Sequence, residues 1–210
     1  MDREPLERDP HNWASVQEDF SRYLEGDVAA TERAFSAMNR ILKGYFYLRS
    51  KSEADSQDLA QSTLLKIHLS RASFNTKLPL KTWVFVLAHR TLIDHWRRSS
   101  RRESVQDHSN NEVTQEDISR NESDDTFLRL TQRKILNQAL DRLKPDDRTI
   151  VYLCVEEGLS MLEISIILGS TEGAIKVRMH RARKTLREFI EGSRKYDKGE
   201  KPPFQPEPPV

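Results

Sequence analysis

The chain has 210 residues, of which 36% are hydrophobic and 32% charged, and carries a formal net charge of +1. That length suits one large domain or two small ones with modest cores, and so polar a composition predicts that part of the chain stays unpacked. No apolar run approaches a membrane span, the first ten residues are mostly charged or Pro and do not read as a signal peptide, and the single cysteine, Cys154, excludes an internal disulfide, so a cytoplasmic protein is expected.

The net charge hides a segregation. Lys and Arg outnumber Asp and Glu by 17 to 13 over residues 1–102 and by 12 to 9 over 127–192, whereas residues 103–126 hold one cation and 8 acids. Both basic blocks read as helical with almost no strand signal, so the predicted fold is all-α. It comprises an N-terminal four-helix domain (1–102), a flexible acidic linker (103–126), a C-terminal helix-turn-helix domain (127–192) and a disordered Pro-rich tail (193–210).

In the first block, Phe35, Met38, Leu42 and Tyr45 stripe one face of a long helix. Leu59, Thr63 and Ile67, with Ala60 and Leu64 beside them, do the same for the next, after a cap in SEAD (Ser52 to Asp55). The fourth helix, from about Pro79 to Arg98, is apolar nearly all round from Trp83 to Ala88 and belongs there inside a bundle, then turns basic. The acidic segment that follows has no aromatic residue and too few aliphatics to offset the entropy of ordering, so it reads as a linker.

Punctuation is most legible in the second block. Leu136, Leu140 and Leu143 stripe a helix that stops before KPDDR, where Pro145 suits the first turn of the next. Gly158 ends that helix, Ser160 to Glu163 form a capping box opening a short one with Ile164, Ile167 and Leu168 on its apolar side, and Gly169 allows a turn. The helix after it, within TEGAIKVRMHRARKTLREF (171–189), carries six Lys/Arg and two acids. Two short helices joined by a glycine-led turn make a helix-turn-helix, whose second helix lies in the DNA major groove.

On a helical wheel, Ile175, Met179, Ala182 and Leu186 cluster and form the packed face. The other side presents Gly173, Val177, His180, Arg181 and Lys184, flanked by Lys176, Arg178 and Arg183, with Thr171 at the helix start. Arg181 is placed to fork onto a guanine edge, Val177 to touch a thymine methyl, and Lys176, Arg178 and Arg183 to meet phosphates. A solvated basic helix without a ligand is the plain alternative, and the cap, turn and short helix ahead of it argue against that. Residues 79–102 carry six Lys/Arg against one acid, and Arg90, Asp94 and Arg97 share one face.

The run LNQALDRLKPDDRTIVYLCVEEGLSMLEISIILGSTEGAIKVRMHRARKTLRE resembles the C-terminal domain of bacterial sigma factors of the extracytoplasmic-function group. DSQDLAQSTLLKIHLSRASFNTKLPLKTWVFVLAHRTLIDHWRR resembles the same group's N-terminal domain, in the family's order. The resemblance implies a dissociable subunit of RNA polymerase that reads the minus-thirty-five element as duplex and captures the minus-ten element as its strands part. It places Asp58, Leu59, Gln61, Ser62 and Leu65 against the clamp helices of the polymerase's largest subunit. Phe74, Lys77 and Trp83 fall in or beside the loop that accepts a flipped base, and Arg90, Asp94, Arg97 and Arg98 on the helix that meets the minus-ten strand. An unpaired base is held by stacking and edge hydrogen bonds beside a positive groove, which suits these residue types.

The chain departs from the family at Arg90, commonly Asn, at Ser62, commonly acidic, at Val177, commonly small and polar, and at Ile166, commonly Glu. The last exposes an apolar side chain on which an inhibitory anti-sigma partner would dock. The six histidines show no paired ligand spacing, and CxxC, phosphate-cradling and nucleophile motifs are absent, so neither metal, cofactor nor enzymatic activity is expected. Two other functions compete: a stand-alone helix-turn-helix regulator, and a decoy that occupies the polymerase without opening promoters.

Overall fold

The computed structural model describes residues 11–75, 79–103 and 135–196. Lys77, nearly all of the acidic linker and most of the Pro-rich tail lie outside the described residues. Every described element is helical, as the sequence predicts. Helices α1 (Trp13–Leu24), α2 (Val28–Ser50), α3 (Glu53–Ser70) with a 3-10 turn at Arg71–Ser73, and α4 (Leu80–Glu103) come from the first block. A helical stretch over 135–141 (α5), then α6 (Pro145–Val155), α7 (Met161–Leu168) and α8 (Glu172–Tyr196), come from the second. None of the described helices is long and apolar enough to cross a membrane.

Local chemistry sets most of the boundaries. Asp27 and Ser52 cap α2 and α3 by accepting the amides of Ala30 and Asp55 at 2.9 and 3.2 Å. Each satisfies a donor that the first helical turn would otherwise leave open. Pro145 stands at the first turn of α6, where its missing N–H costs nothing. Helix α4 runs on to Glu103, five residues past the end expected at Arg98.

Most of the stripes expected inside are buried, with Phe35, Leu64, Leu140, Leu168 and Leu186 half-buried and Leu136 exposed. Met38, Leu42 and Tyr45 of α2 and Leu59, Ala60, Thr63 and Ile67 of α3 are buried. At α5 the interior is taken by Ala139 and, just past the helix end, Leu143, whereas Leu136 stays 47% exposed, so its face is turned away from the described core.

The two blocks share a single core. Val84, Phe85 and Ala88 of α4 are fully buried, with the N-terminal bundle on one side and α7 on the other. That double cover is why this stretch is apolar nearly all round. A second contact joins α2 to α6, where Tyr45 and Tyr152 lie with ring centroids 6.1 Å apart. Ile150, Leu153, Leu159, Ile164 and Ile167 belong to the same hydrophobic cluster as Phe20, Met38 and Phe85. Each fully buried aliphatic or aromatic side chain contributes about 1.5–3 kcal/mol, so this seam outweighs the ion pairs at its rim, which are worth roughly 0–1 kcal/mol each.

His89 of α4 lies beside the buried Tyr45 hydroxyl, with Nδ1 at 3.3 Å. Burial, then the nearby Arg49 guanidinium, hold its imidazolium below the ordinary histidine value. The native state therefore refuses a proton that the unfolded chain accepts, and stability falls as pH drops below about 6.5. We expect the wild type to lose stability relative to His89→Gln between pH 7.5 and 5.5. The loss should stay below the ~1.4 kcal/mol per pH unit that one proton allows. Urea unfolding of both proteins at each pH checks this, since other titrating groups cancel in the difference.

Candidate nucleic-acid interface

The helix-turn-helix is built from local bonds. Ser160 Oγ accepts the amide of Glu163 at 3.2 Å while Glu163 Oε2 accepts the amide of Ser160 at 2.9 Å, completing the capping box. Gly169 then takes the left-handed conformation, φ 62°, that lets the chain turn without a Cβ penalty. Thr171 Oγ1 caps α8 by accepting the amide of Ala174 at 3.2 Å.

Helix α8 divides as its wheel requires. Ile175, Met179 and Ala182 are buried. Thr171, Gly173, Lys176, Val177, His180, Arg181, Arg183 and Lys184 are all exposed on the faces away from the domain. Lys176 and Lys184 meet Glu172 and Glu188 one turn away, at 2.6 and 3.8 Å. Such exposed pairs are weak enough for a phosphate to displace them. Arg178 is held differently. Its Nε donates to Asp147 Oδ1 at 2.7 Å and its Nη2 stands 3.8 Å from Asp146 Oδ2. Both acids sit in the first turn of α6, where they also complement the helix dipole. The geometry makes Arg178 a strut between α6 and α8 before it is anything else.

On the first block, Phe74 and Trp83 form a half-buried aromatic step with ring centroids 4.9 Å apart. Phe20 supports it from the core, 5.5 Å from Phe74 and 6.0 Å from Trp83. Both rings thus combine core packing with an accessible side. Arg90, Arg97 and Arg98 are exposed along α4. Asp94 between them is not free, because Lys66 Nζ lies 3.3 Å from its carboxylate. The face is consequently more cationic than its sequence suggests.

Asp58, Gln61, Ser62 and Leu65 are exposed on α3, but Leu59 is buried in the bundle. Leu59 packs into the bundle and meets the groove between α3 and α4 only at its floor. Asp58, Ser62, Leu65 and Leu69 line one side of a groove whose other side is Thr91, His95 and Arg98 of α4. Leu65 and Leu69, 58% and 68% exposed, give it an apolar lip.

Sequence reading missed the residues that join the blocks. The Arg49 side chain is 2% exposed, donates to Asp146 Oδ1 at 2.9 Å and Thr149 Oγ1 at 2.7 Å, and stacks on Trp96 with its guanidinium 4.3 Å from the ring centre. Arg49, Trp96, Arg178 and Arg181 line one cleft, so the basic end of α4 and the basic face of α8 lie side by side. Glu157 is fully buried and accepts the Trp13 indole N–H at 2.8 Å. In the sequence it is an ordinary acid before a glycine. Only its hydrogen bond with Trp13 of α1 reveals it.

Residues 34–102 match the family described as Sigma-70 region 2, and residues 133–186 match that described as Sigma-70, region 4. The chain is 34% identical over 170 residues to the ECF RNA polymerase sigma factor SigF of Caulobacter vibrioides, a match covering 80% of this chain and 89% of that protein. It is 28% identical over 154 residues to the RNA polymerase sigma factor YlaC of Bacillus subtilis, covering 73% and 88%. Among solved structures, the fold is similar to the sigma factor RpoE of Bartonella quintana, crystallised with the anti-sigma factor NepR. The TM-score is 0.63 at 24% identity, over 78% of this chain and 98% of that one.

The two arginines of α8 should separate in a stability measurement. Arg178→Ala leaves Asp147 without its cation, while Asp146 keeps Arg49, and is expected to cost roughly 1 kcal/mol, whereas Arg181→Ala should stay within about 0.5 kcal/mol of wild type. Urea midpoints at constant m-value check this.

Proposed function

Because this chain belongs to the extracytoplasmic-function sigma factors of the sigma-70 family, and as such directs promoter-specific transcription, we propose that its two cationic faces divide the promoter between them. Residues 11–103 bind core RNA polymerase and the minus-ten element, and residues 135–196 bind the minus-thirty-five element. Helix α8 lies in the major groove of the duplex. Arg181 forks onto a base edge, Val177 meets a thymine methyl, and Lys176, Arg183 and Lys184 neutralise phosphates. The Phe74–Trp83 step receives an unstacked base, and Arg90, Arg97 and Arg98 carry the strand that leads to it. The α3–α4 groove, with Asp58, Gln61, Ser62 and Leu65 at its edge, takes the clamp helices of the polymerase.

The single observation that carries this reading is the exposure of the predicted α8 face from Thr171 to Lys184, Arg178 alone excepted, behind a complete cap, turn and buried stripe. The stand-alone regulator accounts for only that half, since the first block also matches its family. Neither face involves bond chemistry, so the chain acts by binding. Leu162 and Ile166, both more than half exposed on α7, offer an anti-sigma partner an apolar docking point. Nothing in the binding task calls for a cofactor.

The linker sets the energetics. As a flexible coil, 24 residues span roughly 27 Å, two turns of DNA measure about 68 Å, and full extension reaches about 80 Å. The chain can bridge the two elements only when the polymerase holds it stretched.

Gel shifts with and without core polymerase test the reading. The free protein should bind minus-thirty-five duplex weakly and salt-sensitively, and core should supply the affinity. In the holoenzyme, Arg181→Ala should lose about 1–3 kcal/mol of discrimination at one base pair. Arg183→Ala should weaken all sequences alike and reduce the salt slope by about one. Tight, equal binding without core would contradict the assignment.

A further inference from the structure

We propose that α1, which precedes the stretch matched by the Sigma-70 region 2 family, is the positioning element for base capture: its residues Gln17, Phe20 and Tyr23 hold the Phe74–Trp83 step in the place where an unstacked base is received. The proposal rests on the base-capture reading above, because a fixed step matters only if a base docks on it.

The three residues recur at every third position and so lie within an arc of about 120° on one side of α1. Each reaches a different part of the connection between α3 and α4. Tyr23 Oη shares a hydrogen bond of 2.8 Å with Nδ1 of His68, in the last turn of α3. Arg71 Nη1 donates to the His68 carbonyl at 2.8 Å, and the Phe74 amide donates to the Arg71 carbonyl at 3.2 Å. A chain of short bonds thus runs from α1 through the 3-10 turn to Phe74. At the other end, Gln17 Oε1 accepts the Leu80 amide at 3.3 Å and satisfies a donor that the start of α4 would otherwise leave open. Trp83 stands one turn further along that helix, its amide donating to the Pro79 carbonyl at 3.4 Å. Between the two ends the fully buried Phe20 meets both rings, edge-on to Phe74 and tilted against Trp83.

Packing alone does not call for these contacts. The buried residues of α1 are Trp13, Val16 and Phe20, whereas Gln17 is exposed and Tyr23 half-buried. A hydrogen bond at such a rim adds little stability, but it fixes the groups that it joins. Fixing is what the step needs. Phe74 hangs from the end of α3 and Trp83 rises from α4, so the 4.9 Å between their rings is a distance between two helices. Stacking and edge bonds select one base over another only while the groups that make them stay within about 0.5 Å of the productive geometry. By bonding to the end of α3 and the start of α4 at once, α1 holds that distance.

Mapping transcript starts with reconstituted holoenzyme on fragmented genomic DNA tests the role of α1, because the base frequencies at each promoter position are read from the transcripts. Tyr23→Phe and Gln17→Ala should each reduce the preference at one minus-ten position by roughly twofold to tenfold, the size of one lost hydrogen bond. Preferences in the minus-thirty-five element, helicity and affinity for core should stay as in wild type. His68→Ala removes the Tyr23 bond from its other side and should reproduce Tyr23→Phe, which keeps the test decisive if either α1 variant folds poorly. Trp83→Ala identifies the position, since it should abolish the preference there. Variants of α1 that lower transcription at all promoters alike, with every base preference intact, would overturn the proposal and leave α1 a packing element. If Trp83→Ala lost the preference while the α1 variants kept it, the role of α1 alone would fall. If Trp83→Ala kept it too, the base-capture reading would fall and this role with it.

Discussion

Helix α4 is apolar around more of its circumference than water allows, with Val84, Phe85 and Ala88 all fully buried, and the molecule answers by covering it on two sides. The N-terminal bundle takes one side and α7 the other. This one constraint fixes where the second block rests. It also fixes what stays outside, because the later turns of α4, from Arg90 onward, carry the exposed arginines that suit a nucleic-acid strand. A helix that is core at one end and cationic at the other can serve both packing and recognition without conflict.

The same economy governs α8. Three buried residues, Ile175, Met179 and Ala182, anchor it, and every residue proposed to read or grip duplex faces away from them. The exception is Arg178, which is held by Asp147 on the flank. An arginine bound by a charge-assisted bond at 2.7 Å positions the helix more than it recruits phosphate. Acids thus decide which cations are free: Asp147 engages Arg178, Lys66 engages Asp94, and Arg181, Arg183 and Arg97 are left at the surface.

Features encoded within a few residues were legible in the sequence. The Ser160 capping box, Pro145 in the first turn of α6, Gly169 at the turn and the α8 wheel each depend on near neighbours in the chain. The family resemblance placed the α3 and α4 residues in order; Asp58, Ser62 and Leu65 line one groove together with Arg98, and Gln61, Arg90 and Arg97 are exposed outside it. What escaped detection involves partners far apart in sequence. Glu157 is buried because Trp13, 144 residues away, donates to it, and Arg49 is buried because Asp146 and Trp96 enclose it. No periodicity announces such pairs. Leu59 adjoins Asp58 in sequence, but the helical rotation of about 100° between them turns Leu59 into the bundle and Asp58 out.

The account depends on one chain redirecting RNA polymerase to a shared pair of DNA sequences, and transcription start sites measure that directly. Purified core polymerase should be incubated with fragmented genomic DNA, with and without this protein, and the 5′ ends of the transcripts mapped. The account predicts a set of starts that appears only when the protein is present and shares two upstream elements at constant spacing. Identical starts in both reactions would contradict it.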